Sequence, residues 1–157
     1  MFARDIEVQR IIDSPLLPTD EELCKWMENA LIDYHRDAEI LIRIVDTQEM
    51  LELNSQYRHK NRTTNILSFP FEVPEGVTGL HLLGDLVVCA EVLALEAKVQ
   101  QKTLKDHWAH IIIHGILHLI GYDHINEIEA IEMEKREIKI LQQLDIDNPY
   151  QEKEVND

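Results

Sequence analysis

Apolar residues along the chain follow two different periods, and each period predicts a type of element. Alternation, or short runs rich in β-branched residues, predicts four strands, at residues 6–11, 39–45, 66–71 and 82–89. Helical spacing predicts five helices, at residues 19–34, 46–57, 91–101, 103–120 and 126–144. Pro70 falls inside the third strand. Because proline cannot donate a ladder hydrogen bond, we expect that strand at an edge of the sheet.

These elements predict a single α/β (α+β) domain over residues 1–157, with a four-stranded mixed sheet covered by helices. Three helices begin with the residue pairs of a capping box, which are Thr19/Glu22, Asp46/Glu49 and Asn126/Glu129. The apolar contacts expected from the last helix are Ile128, Ile131, Met133, Ile138 and Leu141. The polar tail from about Asp145 is expected to be frayed.

The chain has a formal net charge of −15 and no apolar run of about 18 residues. Its N-terminus lacks the charged-then-apolar order of a signal peptide, and Cys24 and Cys89 are isolated. Together these features predict a cytoplasmic protein with reduced thiols and no membrane contact. An acidic surface repels phosphate, which argues against a general nucleic-acid binder. Binding of RNA would depend on local positive charge, at residues 58–62 or at Lys98, Lys102 and Lys105.

The helix predicted at residues 103–120 carries four histidines on one narrow stripe, which are His107, His110, His114 and His118. Almost every other position from Ala109 to Ile120 is apolar, so we expect this helix to be buried nearly all round. A buried imidazole without a hydrogen-bond partner costs about 1–3 kcal/mol. Four on one stripe therefore need a common partner or a water-lined cleft.

His114 and His118 lie one helical turn apart, so both can bind one ion. Gly121 is placed to end the helix, and the returning chain then brings His124 towards the same point. The spacing matches the metzincin motif H-E-x-x-H-x-x-G-x-x-H, except that Gly115 replaces the glutamate that serves as general base. Three histidines suit a catalytic zinc site with an open fourth position. We predict one Zn²⁺ per chain; the alternative is core histidines that bond to backbone carbonyls.

The segment HGILHLIGYDH at residues 114–124 resembles the signature H-G-x-L-H-L-x-G-Y-D-H of the YbeY family, bacterial single-strand-specific endoribonucleases. The resemblance extends to NSQYR (54–58), TNILSFP (64–70), LGD (83–85) and HWAH (107–110), and so covers most of the chain. It implies a zinc-dependent endoribonuclease that matures the 3′ end of small-subunit ribosomal RNA and acts in ribosome quality control. The partners it implies are single-stranded rRNA, the small ribosomal subunit, and a ribosomal protein or assembly GTPase.

An arginine at a helix C-terminus, such as Arg58, is often only a solvated cation. The resemblance instead implies a catalytic role, in which the planar guanidinium stabilises charge on a phosphate. The candidates for substrate binding are Lys60, Arg62, Thr64, Asn65 and Ser68, of which the last three could instead satisfy a loop. The candidates for orienting the ligand histidines are Asp85, His110 and Asp123. Asp85 could also pair with Arg58 or with loop amides, and Asp123 could serve only to shape the turn.

The sequence is compatible with three functions. The first is the zinc-dependent endoribonuclease, with either a zinc-activated water or the 2′-hydroxyl of the RNA as nucleophile. The second is a metalloprotease or amidohydrolase, against which the glycine at position 115 counts. The third is a non-catalytic ribosome assembly factor with structural zinc, against which the three-ligand set counts, because structural zinc normally has four protein ligands.

Overall fold

The structure is a computed structural model in which residues 1–123 and 125–150 are described. One sheet contains the four strands β1 (Arg4–Arg10), β2 (Ala38–Val45), β3 (Ile66–Pro70) and β4 (Leu82–Cys89). The order across the sheet is β1-β2-β4-β3. The first three strands in this order are parallel, whereas β3 pairs antiparallel with β4 at one edge. The predicted α/β fold with a four-stranded mixed sheet is confirmed, and the strand that contains Pro70 is at the edge.

Five helices surround the sheet, namely α1 (Asp20–Ala30), α2 (Thr47–Arg58), α3 (Ala90–Val99), α4 (Leu104–Leu119) and α5 (Glu127–Gln143). The predicted caps Thr19, Asp46 and Asn126 each accept a hydrogen bond from the backbone N–H three residues later. At α1 the capping box is complete, because Glu22 accepts a bond from the backbone of Thr19 in return.

α1 ends at Ala30, four residues before the predicted end. Beyond this end, the guanidinium of Arg4 donates to the carbonyl oxygens of Leu31 and Tyr34, at 3.2 and 2.7 Å. The backbone N–H of Tyr34 also donates to the carbonyl of Leu31, so the turn after α1 leaves both acceptors paired.

Helices cover both faces of the sheet and form two apolar layers. On one face, α1 and α4 pack against a set of strand residues that includes Ile40, Ile42, Ile44, Leu86 and Val88. On the other face, Met50 and Leu53 of α2 pack against Val45, Leu67, Val87 and Cys89. Successive side chains of β4 thus point to opposite sides, as the pleat of a strand requires.

α5 buries Met133 and Leu141 as the sequence predicts, but it does not bury two of the isoleucines that were expected with them. Ile128 and Ile131, which were expected as apolar contacts, are 72% and 43% exposed. The buried residues of this helix are Met133, Glu137, Ile140 and Leu141. The prediction is wrong for the two isoleucines because a carboxylate takes an inward position, where α4 offers it imidazoles as partners.

Two glycines allow close approaches, one between α4 and the sheet and one between β4 and the edge strand β3. A Cβ atom at Gly115 would lie 2.7 Å from Cδ1 of Ile66 and 2.9 Å from Cδ2 of Leu86. At Gly84, whose φ is +147°, a Cβ atom would lie 2.3 Å from the carbonyl oxygen of Phe69. At Gly115, α4 therefore rests directly on the part of the sheet that contains β3.

The chain after α5 returns to the helices. The backbone N–H of Ile146 donates to the carbonyl of Leu141 at 2.9 Å, and the side chain of Ile146 packs against the core. Nζ of Lys102 donates to the carbonyl of Pro149 at 3.3 Å. Residues 151–157 lie outside the described part of the chain, and the fraying of the tail stays a prediction.

None of the helices in the described residues combines the length and the apolar character needed to cross a membrane.

We predict that Gly84→Ala lowers the free energy of unfolding by about 2–4 kcal/mol, because it adds a backbone overlap to an unfavourable φ. Urea denaturation followed by circular dichroism measures the loss. Gly79→Ala is the matched control: its φ of +84° is also left-handed, but its Cβ would meet nothing within 4 Å. The control should lose only about 1–2 kcal/mol. Equal losses would contradict the close approach at Gly84.

Candidate active site

A cavity of about 680 Å³ opens beside the C-terminal half of α4. Its walls come from α4, from the segment between α2 and the end of β3, and from the turn that follows α4. The predicted site residues that line it are Arg58, Thr64, Asn65, Ser68, His114, His118 and Asp123. Residues from distant parts of the sequence are thus brought to one place.

The imidazoles of His114 and His118 converge in this cavity. Their Nε2 atoms lie 3.1 Å apart, and their rings are nearly perpendicular, at 80°. Two nitrogen ligands at about 2.0–2.1 Å from one tetrahedral zinc ion are about 3.3–3.4 Å apart. The spacing of the two Nε2 atoms therefore fits two ligands of one ion with little movement.

Gly121 ends α4 as the sequence predicts. Its φ is +108°, and its N–H donates to the carbonyl of His118 at 3.1 Å, while Tyr122 N–H donates to the carbonyl of Leu117 at 3.0 Å. This C-terminal turn brings Tyr122 and Asp123 to the cavity wall. His124, the third predicted metal ligand, lies outside the described residues, and its role stays a prediction.

A buried carboxylate that was not predicted from the sequence lies against one of these histidines. The side chain of Glu137 is fully buried, and its Oε1 is in hydrogen-bond contact with Nδ1 of His114. Its Oε2 accepts a hydrogen bond from the hydroxyl of Tyr150 and lies 3.8 Å from Nε2 of His110. Burial by itself would raise the pKa of Glu137, but its contacts with His110, His114 and Tyr150 outweigh burial and lower the pKa to about 2.

A signal for Glu137 does exist in the sequence. Met133, Glu137, Ile140 and Leu141 follow the spacing i, i+4, i+7 and i+8, so the glutamate occupies a position of the buried helical stripe. In a segment this rich in acidic residues, one more glutamate is easily taken for solvated surface. His110, His114 and Glu137 also offer three potential metal-ligand atoms within 4.8 Å of one another.

The histidine stripe on α4 becomes more exposed towards the cavity. The exposed fraction of the side chain is 2% for His107, 12% for His110 and 24% for His114. Burial lowers the pKa of His110, although Glu137 acts in the opposite direction. Nε2 of His110 contacts the hydroxyl of Tyr150 at 3.2 Å. His110 does not line the cavity but lines a neighbouring one, and its supporting role stays a prediction.

His107 belongs to a different network, which reaches the other wall of the cavity. Its Nε2 lies 3.0 Å from Oε1 of Glu96, and Nδ2 of Asn65 donates to the same carboxylate at 3.3 and 3.4 Å. Burial would raise the pKa of Glu96, but the bonds from His107 and Asn65 outweigh it and lower the pKa. The amide of Asn65 is therefore used, at least in part, to hold its own loop.

Arg58 is the last residue of α2 and lines the cavity. His59 follows as the C-cap of the helix, with a left-handed φ of 55°. The buried side chain of Asn54 then holds the basic loop, because its Nδ2 donates to the carbonyl of Arg62 at 2.7 Å. Lys60 and Arg62 belong to this loop but lie outside the cavity lining.

Asp85 is not brought to the histidines. It lies between Leu86, which faces α4, and Gly84, and it lines a separate cavity on the α2 side with Arg43 and Glu49. Burial, and then Glu7, raises its pKa. Tyr57, which was not predicted from the sequence, also lines the candidate active-site cavity. It is 56% exposed, and its ring contacts that of Phe69 edge-on with centroids 5.4 Å apart.

Comparison with known proteins identifies the family. The family model for the endoribonuclease YbeY matches residues 13–145. The chain belongs to the YbeY endoribonuclease family. A relative from Colwellia psychrerythraea, named Endoribonuclease YbeY, is 49% identical over 155 residues, which cover 96% of this chain and 99% of that protein. The solution structure of TM1509 from Thermotoga maritima has a TM-score of 0.58 at 25% identity and covers 95% of this chain and 96% of that one. The resemblance seen in the sequence is confirmed.

The packing of Gly115 also bears on the protease alternative. A side chain at position 115 would start 2.7–2.9 Å from atoms of Ile66 and Leu86, inside the contact between α4 and the sheet. A glutamate there would be directed into the apolar contact between the helix and the sheet. The position that carries the general base in metzincins is therefore unsuited to one in this fold.

We predict that Glu96→Gln lowers the free energy of unfolding by about 1 kcal/mol near neutral pH, through loss of its charged hydrogen bonds. Since the pKa of Glu96 is lowered in the folded state, its contribution is present above the ordinary glutamate pKa and is lost as the pH falls through the folded pKa. The stability difference between wild type and Glu96→Gln should thus shrink below about pH 4.3. Denaturation across pH measures it, with Glu91→Gln on the same helix as control. A difference that grows on acidification contradicts the prediction.

Proposed function

We propose that this protein is a zinc-dependent, single-strand-specific endoribonuclease of ribosomal RNA processing. The observation that carries the proposal is the convergence of the Nε2 atoms of His114 and His118, 3.1 Å apart, in a cavity that Arg58 also lines. A family of endoribonucleases supplies the reaction class.

His114, His118 and His124 would hold one zinc ion through imidazole nitrogens. When bound, such an ion polarises a phosphoryl oxygen or lowers the pKa of a water molecule towards about 7. The donor set also suits other divalent transition metals, since imidazole is a common ligand for several of them. Asp123, which lines the cavity after Tyr122, would support this part of the site.

Arg58 would stabilise the negative charge that develops on the scissile phosphate. Its guanidinium is permanently charged and offers two parallel N–H donors to phosphate oxygens. The backbone just after Arg58 is tied to α2, because Asn54 donates to the carbonyl of Arg62 in the loop that follows. A cation beside the phosphate when the charge develops lowers the barrier, which is how electrostatic stabilisation accelerates a reaction.

The RNA would enter past the basic loop, with Lys60 and Arg62 near its backbone and Thr64, Asn65 and Ser68 along the wall. Tyr57 suggests why a single strand is preferred. Its exposed ring, supported by Phe69, can stack on an unpaired base, whereas the bases of a duplex are already stacked on each other. Local positive charge matters because the chain as a whole carries −15.

The family resemblance supports the finer biological assignments. These are a cytoplasmic location, maturation of the 3′ end of small-subunit rRNA, ribosome quality control, and contact with the small subunit through a ribosomal protein or an assembly GTPase. An acidic body with one basic loop binds free RNA weakly, so a docking partner would supply the missing affinity.

The first test is cleavage of a single-stranded fragment that spans the 3′ end of small-subunit rRNA. Loss of one electrostatic stabiliser costs about 10²–10³-fold in rate, so we expect that loss in Arg58→Ala, with partial recovery in Arg58→Lys. His118→Ala and metal-depleted wild type should lose activity, and added zinc should restore only the wild type. Lys139→Ala, which removes an exposed charge from α5, is the purification-matched control. Equal cutting by all variants would mean a contaminating nuclease or another site, and would refute the proposal.

A second test concerns the preference for single strands. Base stacking on an aromatic side chain contributes about 1–3 kcal/mol, so Tyr57→Ala should weaken binding of a single-stranded oligonucleotide by about tenfold or more. Tyr57→Phe should retain the affinity, because it keeps the ring. Fluorescence anisotropy at fixed salt measures both, with a duplex of the same sequence as reference. A similar loss of affinity for the duplex in Tyr57→Ala would exclude stacking as the cause.

A further inference from the structure

We infer that Glu137 and Tyr150 form a hydrogen-bonded bridge that positions the ring of His114 for metal binding. The inference rests on the proposed function, in which His114 is a metal ligand. It makes α5 and the segment that follows it part of the metal site, although neither lines the cavity.

The two oxygens of the Glu137 carboxylate contact different donors. Oε1 contacts Nδ1 of His114, and Oε2 accepts from the hydroxyl of Tyr150. The side chain of Glu137 is fully buried, so these contacts replace its hydration. A carboxylate can only accept hydrogen bonds, and its partner atom Nδ1 must therefore carry the proton.

This bond decides which nitrogen of His114 is free to bind an ion. With the proton on Nδ1, the lone pair of Nε2 is available, and Nε2 is the atom that faces His118 at 3.1 Å. Metal-binding histidines commonly donate their other N–H to a carboxylate, which fixes both the tautomer and the orientation of the ring. Glu137 is the carboxylate that accepts from His114 in this way.

Tyr150 is held in place from several sides, so that its hydroxyl can complete the bridge. Its ring packs edge-on against His110, with centroids 5.4 Å apart, and its backbone N–H donates to Oδ1 of Asn148 at 2.8 Å. Nε2 of His110 lies 3.2 Å from the tyrosine hydroxyl and can donate to it. The hydroxyl proton then points to Glu137. His110 thus donates to Tyr150 and Tyr150 donates to Glu137, while His114 donates to the other oxygen of the same carboxylate.

A different use of the same residues is an ion held directly by His110, His114 and Glu137, whose ligand atoms lie within 4.8 Å of one another. The direct contact between Nδ1 of His114 and Glu137 favours the bridge, because an ion between them would separate the two atoms. Direct ligation is therefore an outcome that the experiment must distinguish.

The experiment compares the full-length wild type with Tyr150→Phe, which removes one hydroxyl and keeps the ring against His110, and with Glu137→Gln. Tyr34→Phe is the matched control, since Tyr34 lies elsewhere, beside Arg4. Zinc affinity is measured by competition with a chromophoric chelator, which does not depend on RNA cleavage. The tautomer of His114 is measured in the metal-free protein by long-range ¹H–¹⁵N correlation spectra.

We expect the Nδ1-protonated tautomer of His114 in the wild type and a shift towards the Nε2-protonated form in Glu137→Gln. Zinc affinity should fall about 10–100-fold in Glu137→Gln and about tenfold in Tyr150→Phe, as for other residues that support metal ligands. Should Glu137→Gln fail to fold, Tyr150→Phe alone tests the bridge, because it leaves the buried carboxylate in place.

Three results would overturn the inference. One is wild-type zinc affinity in both variants, which would leave the proposed nuclease intact. Another is an Nε2-protonated His114 in the wild type. The third is complete loss of the bound zinc in Glu137→Gln with an unchanged His114 tautomer, which would make Glu137 a direct ligand. A wild type that binds no zinc would instead refute the proposed function itself.

Discussion

The need to satisfy four imidazoles on a buried helix organises much of this structure. α4 is apolar on most of its surface, yet its histidines form a continuous row with ring centroids 4.6–6.3 Å apart. Different parts of the chain supply their partners, which are Glu96 of α3 for His107, Tyr150 for His110 and Glu137 of α5 for His114. Because an unpaired buried polar group is costly, the packing of α3, α5 and the segment up to Tyr150 follows from the row of histidines.

On the opposite side of α4, close packing and not hydrogen bonding determines how the helix lies on the sheet. At Gly115 the helix rests on Ile66 and Leu86, and Gly84 lets β4 pass close to the backbone of β3. This packing places the exposed end of the histidine row beside the edge strand that carries Ser68. The cavity therefore lies between α4, which can bind metal, the end of β3 and the loop after α2. This arrangement brings the positive charge of Arg58 and several polar groups to the same place.

Much of this arrangement could be read from the sequence, for identifiable reasons. The four strands, the edge position of the Pro70 strand and the caps at Thr19, Asp46 and Asn126 depend on local rules, and they were predicted correctly. The meeting of Arg58 with His114 and His118 followed from the family motif. Glu137 was missed although it falls on the buried stripe of α5, because the stripe alone does not show that α4 presents histidines to a carboxylate there. Asp85 was also placed wrongly, because one step along β4 moves a side chain to the other face of the sheet.

The docking of α5 has a kinetic consequence. This helix buries three apolar side chains and one carboxylate, and it leaves Ile128 and Ile131 in solvent. Segments with few buried apolar contacts detach more readily than the whole domain unfolds. Each detachment of α5 would take the carboxylate away from His114 and release the ring. In a bridged metal site, the lifetime of the bound ion would then be set by how often this helix opens, and exchange of the ion with solution would report on motion of α5.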